Sequence, residues 1–366
     1  MLGVIASFFT KNHSAMVRRW QREGGLPPVP GSRVRNALTT GPAATPPHLE
    51  LAGRRPHYRL PGEGELGPAS LADPGDAGCL VLFDWTAKRP VWESSWGTMV
   101  YTPSGFCLAD DLMYLNDLEG SGVFAVDLVR QPGRLLRRIS HPYMNDIHGL
   151  ERTRRGLLVA SSGTDAVLEV DLDGRLVYQW WAAEHGYSMS PAGVPRSPGR
   201  HREHRDRFYH TRMQTTHLNM ATFRDEDERL MIIVLFHQGQ IIQVDRGAAA
   251  SARPAVLVDG LARPHGLTRA RDGWLVANSA AAELLTFDED FVLADRHVVE
   301  GGGWLQDVTM LSNGHVLVND VDLHCVLELA VPGWQVVGRL DYHPNWRMDE
   351  LAELPSHLAR ALAAAR

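Results

Sequence analysis

Asp146-Ile147-His148-Gly149-Leu150 is a strand opening that returns along the chain, first as Thr216-His217-Leu218-Asn219 and then as Arg263-Pro264-His265-Gly266-Leu267. A fourth opening, Leu305-Gln306-Asp307-Val308, puts a carboxylate where the others put imidazole. Three of these openings lead through a turn into an apolar strand and then into a second strand ending in or near an acidic residue. Gly156-Leu157-Leu158-Val159-Ala160 precedes Val167-Leu168-Glu169-Val170-Asp171, and Met231-Ile232-Ile233-Val234 precedes Ile241-Ile242-Gln243-Val244-Asp245. Gly273-Trp274-Leu275-Val276-Ala277 likewise precedes Leu284-Leu285-Thr286-Phe287-Asp288. Short strands repeating at roughly 40 residues identify an all-β chain folded as a β-propeller.

Working outward, blade two is expected over residues 99–141, blade three over 145–181, blade four over 215–260, blade five over 263–302 and blade six over 304–341. Asp171-Leu172-Asp173-Gly174 and Asn313-Gly314 are hairpin turns within blades three and six. Cys79–Asp84 and Arg89–Glu93 read as the outer strands of a first blade whose inner strands are not evident. The count is therefore six, with five or seven left open by that incomplete blade. Residues 1–75 form an N-terminal arm, with a short helix over Asn12–Glu23 and a run rich in Pro, Gly and Arg beyond it. The propeller spans 76–345, and in 346–366 Leu351, Leu354, Leu358 and Leu362 recur at helical spacing, predicting a C-terminal helix. An insertion over 184–214 joins the outer strand of blade three to the inner strand of blade four, which places it as a lid over the channel mouth.

Composition narrows the partners. Net charge is −6 over 366 residues, and no basic stripe interleaved with aromatics occurs, which argues against nucleic acid. Lys11 and Lys88 are the only lysines. Cys79, Cys107 and Cys325 are too few and scattered for a disulfide framework or a thiolate site and read as small buried residues. The apolar start Leu2–Phe9 is short and has no basic residue ahead of it, so neither a signal peptide nor a membrane span is expected, and the location expected is cytoplasmic.

Inner strands of a propeller surround its axis, so equivalent positions on successive blades converge. On this reading His148, His217, His265 and Asp307 share one position, and His237, in Phe236-His237-Gln238-Gly239, joins them from a loop on the same mouth. Four imidazoles and a carboxylate suit a divalent transition metal: iron first, with copper, manganese or zinc as alternatives. With 17 histidines in the chain, any one of them alone is an ordinary structural residue; recurrence in register is what singles these out. Asn219 lies two residues after His217, on the same strand face, where it orients substrate or imidazole or satisfies backbone groups. Asn116-Asp117, Asn278-Ser279 and Asn319-Asp320 read as strand-end caps, Trp180, Trp181 and Trp304 as space-fillers between blades, and His185, His201, His204 and His210 as solvated lid residues.

The segment from His148 to His265 resembles the bacterial aryl sulfotransferases, six-bladed propellers with a histidine-lined central site. Thr216-His217-Leu218-Asn219 is similar to that family's His-x-Asn strand, and Ile232-Ile233-Val234-Leu235-Phe236-His237-Gln238 to the following strand, which ends in Arg-His-Gln. The resemblance implies that His265 corresponds to the histidine carrying the sulfuryl group. Phe236 stands where the family has an arginine to hold sulfate oxygens, which removes a fixed charge that sulfuryl transfer needs. A four-histidine iron site on the axis is similar to the arrangement in carotenoid oxygenases.

The function expected is therefore a metal-dependent enzyme acting on a small organic molecule by oxidative or lyase-type chemistry. The metal is held by His148, His217 and His265, with His237 or Asp307 completing the shell, and Asn219, His237 and Asp307 taking part in the chemistry. One alternative is a metal-free transferase with His265 as nucleophile; another is a non-catalytic binding propeller. Substrate and oligomeric state are left open.

Overall fold

Each sheet of a propeller is packed on both faces by its neighbours, so its middle strands must be apolar throughout while its outermost strand meets water. The chain obeys this. Gly156–Ser161 and Gly273–Asn278 are buried along their whole length, whereas Arg134–Ile139 and Leu293–Val298 are mostly exposed. The structure, a computed structural model, describes residues 2–10 and 78–365 except 95, 97–99, 101, 119–120, 198, 206–208, 210, 250–251 and 343–345. The helix expected over Asn12–Glu23 and the Pro/Gly/Arg-rich run lie outside the described residues.

Six four-stranded antiparallel sheets form the ring. Their inner strands are Trp346–Leu354, Pro103–Ala109, Ile147–Arg152, Leu218–Phe223, Leu267–Ala270 and Leu305–Met310 for blades one to six. Apolar clusters fill the spaces between adjacent blades: Val4, Phe8, Leu317 and Leu340 between blades one and six, and Leu157, Val159, Val123 and Ile139 between two and three. Gly174 and Gly314 take positive φ in the two hairpins read from the sequence, where a left-handed residue is required.

Blade one is built from both ends of the chain, and here two expectations are corrected. Gly3–Thr10, assigned to an arm, is the second strand, pairing with Trp346–Leu354 on one side and Gly78–Asp84 on the other. Trp346–Leu354, assigned to a helix, is the inner strand; only Ser356–Ala364 is helical, laying Leu358 and Leu362 against the core between blades one and two. Val4 to Phe9 is a short, fully buried apolar run, the signature of a strand covered on both faces. All three cysteines are unpaired, with Cys79 and Cys325 buried. No helix among the described residues is long and apolar enough to cross a membrane.

Every inner strand carries one extra residue at the same step. Ser104 and Gly105 together face Asn116, His148 and Gly149 face Ala160, and Asp349 and Glu350 face Ser7. Asn219 and Gln306 are the extra residues ahead of Met220 and Asp307. In blade five both His265 N–H and Gly266 C=O bond to Ala277. Such bulges re-aim side chains beside functional sites. They also draw inner strands close: a Cβ on Gly105 would stand 2.0 Å from the His148 carbonyl oxygen. Gly105→Ala is expected to cost roughly 2 kcal/mol or more in urea unfolding, because the conflicting atom is backbone and cannot rotate away; an unchanged midpoint would refute that close approach.

Candidate active site

The bulges order the channel into layers. Ser104, His148, Asn219, His265, Gln306 and Asp349 occupy one register-equivalent ring, and Gly105, Gly149, Met220, Gly266, Asp307 and Glu350 form the ring beyond it. Two residues before the first ring, at the mouth, stand Thr102, Asp146, His217, Arg263, Trp304 and Arg347. Asp146, His217 and Arg263 all take left-handed φ there, conformations that persist in non-glycine residues only where surrounding structure enforces them. His148 and His265 thus share a position as expected. His217 sits one layer nearer the mouth and Asp307 one layer deeper, and their places in the ring belong to Asn219 and Gln306.

The histidines nonetheless converge. The His148 ring centroid lies 4.7 Å from that of His217 and 5.8 Å from that of His265. Hydrogen bonds assign their tautomers. His148 Nδ1 meets the Asp146 carbonyl at 3.2 Å and Ser162 Oγ at 3.0 Å. The Ser162 hydroxyl itself donates to the Leu218 carbonyl, so Nδ1 is the donor and Nε2 is bare. Gln214 Nε2 donates to Asp146 Oδ2 and to the Tyr209 carbonyl, which turns Gln214 Oε1 to accept from His217 Nδ1 and leaves His217 Nε2 bare as well. Gln306 Oε1 accepts from Arg347 Nη2 at 2.6 Å and Trp304 Nε1 at 3.0 Å, so its Nε2 donates to Asp349 Oδ1 at 2.6 Å and towards His265 Nε2 at 2.9 Å. Burial holds His217 and His265 well below the usual imidazole range, reinforced by repulsion from His148. Both are neutral at physiological pH.

His237 lies outside this cluster of bare nitrogens. Its ring is 5.8 Å from His217, but its Nε2 is engaged by the Thr211 carbonyl at 2.9 Å, so it fastens the lid instead of lining the channel. The lid does lie at the mouth, and its main anchor is Asp165, which receives Arg196 and the backbone N–H groups of Thr215, Thr216 and His217. His204, expected in solvent, is buried and bonded to Tyr209 Oη at 2.7 Å, and His185 stacks on Trp180. His210 lies outside the described residues. Trp180 and Trp181 fill interblade space, but Trp304 belongs to the mouth, 5.9 Å from Phe236. Asn116 and Asn319 do more than cap: Asn116 Nδ2 donates to the Ile147 carbonyl and Asn319 Nδ2 to that of Met348, bolting the second strand of one blade to the inner strand of the next.

Opposite the imidazoles is an acidic floor, of which sequence reading found Asp307 but not Asp349 or Glu350. His148, His265, Asn219, Asp307, Asp349 and Glu350 line a cavity of about 20 Å³, room for about one water molecule. Asp307 accepts from Leu351 N–H at 2.9 Å and Glu350 from Phe106 N–H at 3.0 Å. Burial pushes the Asp307 carboxyl up to about 7, and burial plus the charge of Asp307 pushes Glu350 well above the carboxylate range. As a pair they keep a proton near neutrality. Raised folded values mean stability is full below the unfolded value near 3.8 and is lost as pH rises through about 7. Asp307→Asn, which keeps an acceptor for Leu351, is expected to gain roughly 2–4 kcal/mol over the parent at pH 8 relative to pH 4. A parallel pH dependence in thermal denaturation would contradict it.

These contacts decide whether the residues can hold a metal. His148 and His217 each offer one free nitrogen, His265 faces the Gln306 amide, and His237 is engaged by the lid. Among the described residues no three His, Cys, Asp or Glu side chains are placed to hold one ion. The ligand set expected from His148, His217, His265, His237 and Asp307 is not assembled, because the five residues fall in different layers or on other partners.

No protein-family model matches the chain, and no curated protein sequence matches it. Solved structures similar to it include a streptogramin B lyase (TM-score 0.49, 8% identity, covering 72% of this chain and 76% of the other). Another is a 6-phosphogluconolactonase-like protein of Bacteroides uniformis (0.48, 15%, 75% and 82%). A third is the periplasmic gluconolactonase of Pseudomonas aeruginosa (0.47, 18%, 76% and 80%). The six-bladed propeller is read from the chain's own six sheets.

Proposed function

We propose that the protein is a propeller enzyme catalysing a lyase-type elimination on a small organic molecule through paired acid and base side chains. The observation that carries this reading is the juxtaposition, across one cavity, of the bare Nε2 of His148 with the buried, raised carboxyls of Asp307 and Glu350. A base with its lone pair free and an acid still protonated near neutrality are the two groups an elimination needs. His148 Nε2 takes a proton from carbon, and the C–H electron pair forms the new double bond. The bond to the leaving group breaks, and that group departs with the proton carried by the Asp307–Glu350 pair. Ser162, Asp146 and Gln214 act as positioning residues that keep His148 and His217 in the base-competent tautomer.

The test is a screen of small molecules bearing a leaving group β to an acidic C–H, followed by mass spectrometry for the eliminated product. Activity is expected in the parent and lost in His148→Ala, with the rate falling as pH rises through about 7, where the Asp307 proton is lost. Elemental analysis runs beside it. Near one equivalent of transition metal in the parent, lost in both His148→Ala and His265→Ala, would overturn the side-chain mechanism and restore the metal-dependent one.

One observation favours a second reading, a sulfuryl-type transferase. The Arg263 guanidinium reaches to 6.0 Å from the Phe236 ring, supplying from blade five a charge near the place where the sulfotransferase-like pattern lacks one. Against it, His265 Nε2 accepts from Gln306, which occupies the lone pair a nucleophile would use. Turnover of an aryl sulfate donor that survives His148→Ala but not His265→Ala would select the transferase.

A further inference from the structure

The cavity between His148 and the acidic floor contains acceptors in excess of donors. Asn219, only 3% exposed, lines it; its Nδ2 donates to the Pro264 carbonyl at 3.2 Å, which leaves Oδ1 buried with no partner. A buried amide oxygen without a donor costs roughly 1–3 kcal/mol, and nothing in the fold requires it at this place. The other groups facing the same volume are the bare Nε2 of His148 and the carboxylates Asp307, Asp349 and Glu350. Arg347, the cation paired with this floor, is directed to Gln306 and lies 3.8 Å from Asp349, so it answers one of the three carboxyl groups.

A volume of about 20 Å³ walled by acceptors and carrying excess negative charge calls for a compact group with several N–H donors and a positive charge. Among the described residues no three His, Cys, Asp or Glu side chains are placed to hold one metal ion, and an organic cation small enough at its head meets the same requirement. We infer that the site takes a primary ammonium group, seated in this cavity with one N–H donated to Asn219 Oδ1 and its charge balanced by the Asp349–Glu350 floor, so that the substrate class is a small primary amine. This rests on the acid–base reading for its chemistry, since the ammonium would anchor the molecule against the same carboxyls that face His148, but the binding itself does not depend on turnover.

The test is a thermal-shift titration of the full chain with methylammonium chloride against tetramethylammonium chloride at equal ionic strength. Methylammonium is expected to raise the unfolding midpoint in a saturable way, by about 2 °C or more at tenfold its dissociation constant, whereas tetramethylammonium, with no N–H, leaves it unmoved. Asn219→Leu, close in volume and without the acceptor, is expected to abolish the difference. Should that variant fail to fold, Asp349→Asn keeps the test alive, because removing the carboxylate that lies outside the protonated Asp307–Glu350 pair lowers the floor's charge and must weaken methylammonium at least several-fold. Equal shifts with both salts, or no saturable shift with either, would mean that the cavity holds water only and overturn the inference. Such a failure would leave the elimination mechanism standing, since that mechanism is decided by turnover in His148→Ala and by metal content, not by ammonium binding.

Discussion

His148→Ala is expected to lower turnover by about 10²–10⁴-fold, the range over which a positioned general base contributes, while leaving the unfolding midpoint close to that of the parent. The two halves of this result have separate causes. Chemistry depends on Nε2, which Ser162 and Asp146 leave bare by accepting from Nδ1, and alanine supplies no substitute. Stability depends little on the ring, because His148 is only partly buried and makes its contacts within the channel, away from the interblade cores. A control separates the base from its support. Ser162→Ala removes one of the two Nδ1 acceptors but leaves the Asp146 carbonyl, so a much smaller loss, near tenfold, is expected, carried by kcat. If His148→Ala lost less activity than Ser162→Ala, the base would have to be His217, the other imidazole with a bare Nε2.

The blades were legible in the sequence because burial on both faces forces long apolar runs, and Gly156–Ser161 or Gly273–Asn278 cannot be mistaken for surface. Blade one was not legible for a local reason. The extra residue at Asp349–Glu350 shifts the strand's alternation by one, so that Met348 and Leu351 fall on the same interblade core three residues apart and Leu354 on the other. That spacing is indistinguishable from a helix until the pairing with Gly3–Thr10 is seen. The same bulge explains why the site was read one layer out. Aligning the openings on histidine put His217 and Asp307 in register with His148; aligning them on the apolar residue that begins each ladder, Ile147, Leu218 or Leu305, puts Asn219 and Gln306 there instead. Asp349 and Glu350 carried no signal at all, since they sat in what looked like a helix. Convergence of His148, His217 and His265 was still predicted, because adjacent layers of a narrow channel lie within ring-to-ring contact of one another.

Asp165→Ala should be the most destabilising single substitution at the mouth, by roughly 3–5 kcal/mol, since it strips a buried hub and leaves its partners exposed to loss. Asp165 is 3% exposed and receives five hydrogen bonds: Arg196 at 2.6 Å, Thr215 N–H and Thr216 N–H at 2.8 Å, Thr216 Oγ1 at 2.9 Å and His217 N–H at 3.2 Å. It therefore fixes the end of the lid and the left-handed turn that delivers His217 into the channel. Without it the Arg196 guanidinium, itself largely buried, keeps the carbonyls of Gly163 and Met213 and the Tyr209 ring but no counter-charge, and three backbone N–H groups lose their acceptor. Asp165→Asn retains one acceptor oxygen and should fall between parent and alanine. Urea unfolding measures the cost, and limited proteolysis locates it: cleavage in the alanine variant is expected within residues 196–214 before anywhere in the blades. Uniform proteolysis with an unchanged midpoint would show that the lid is held by His204 and Tyr209 instead, and that His217 keeps its place without Asp165.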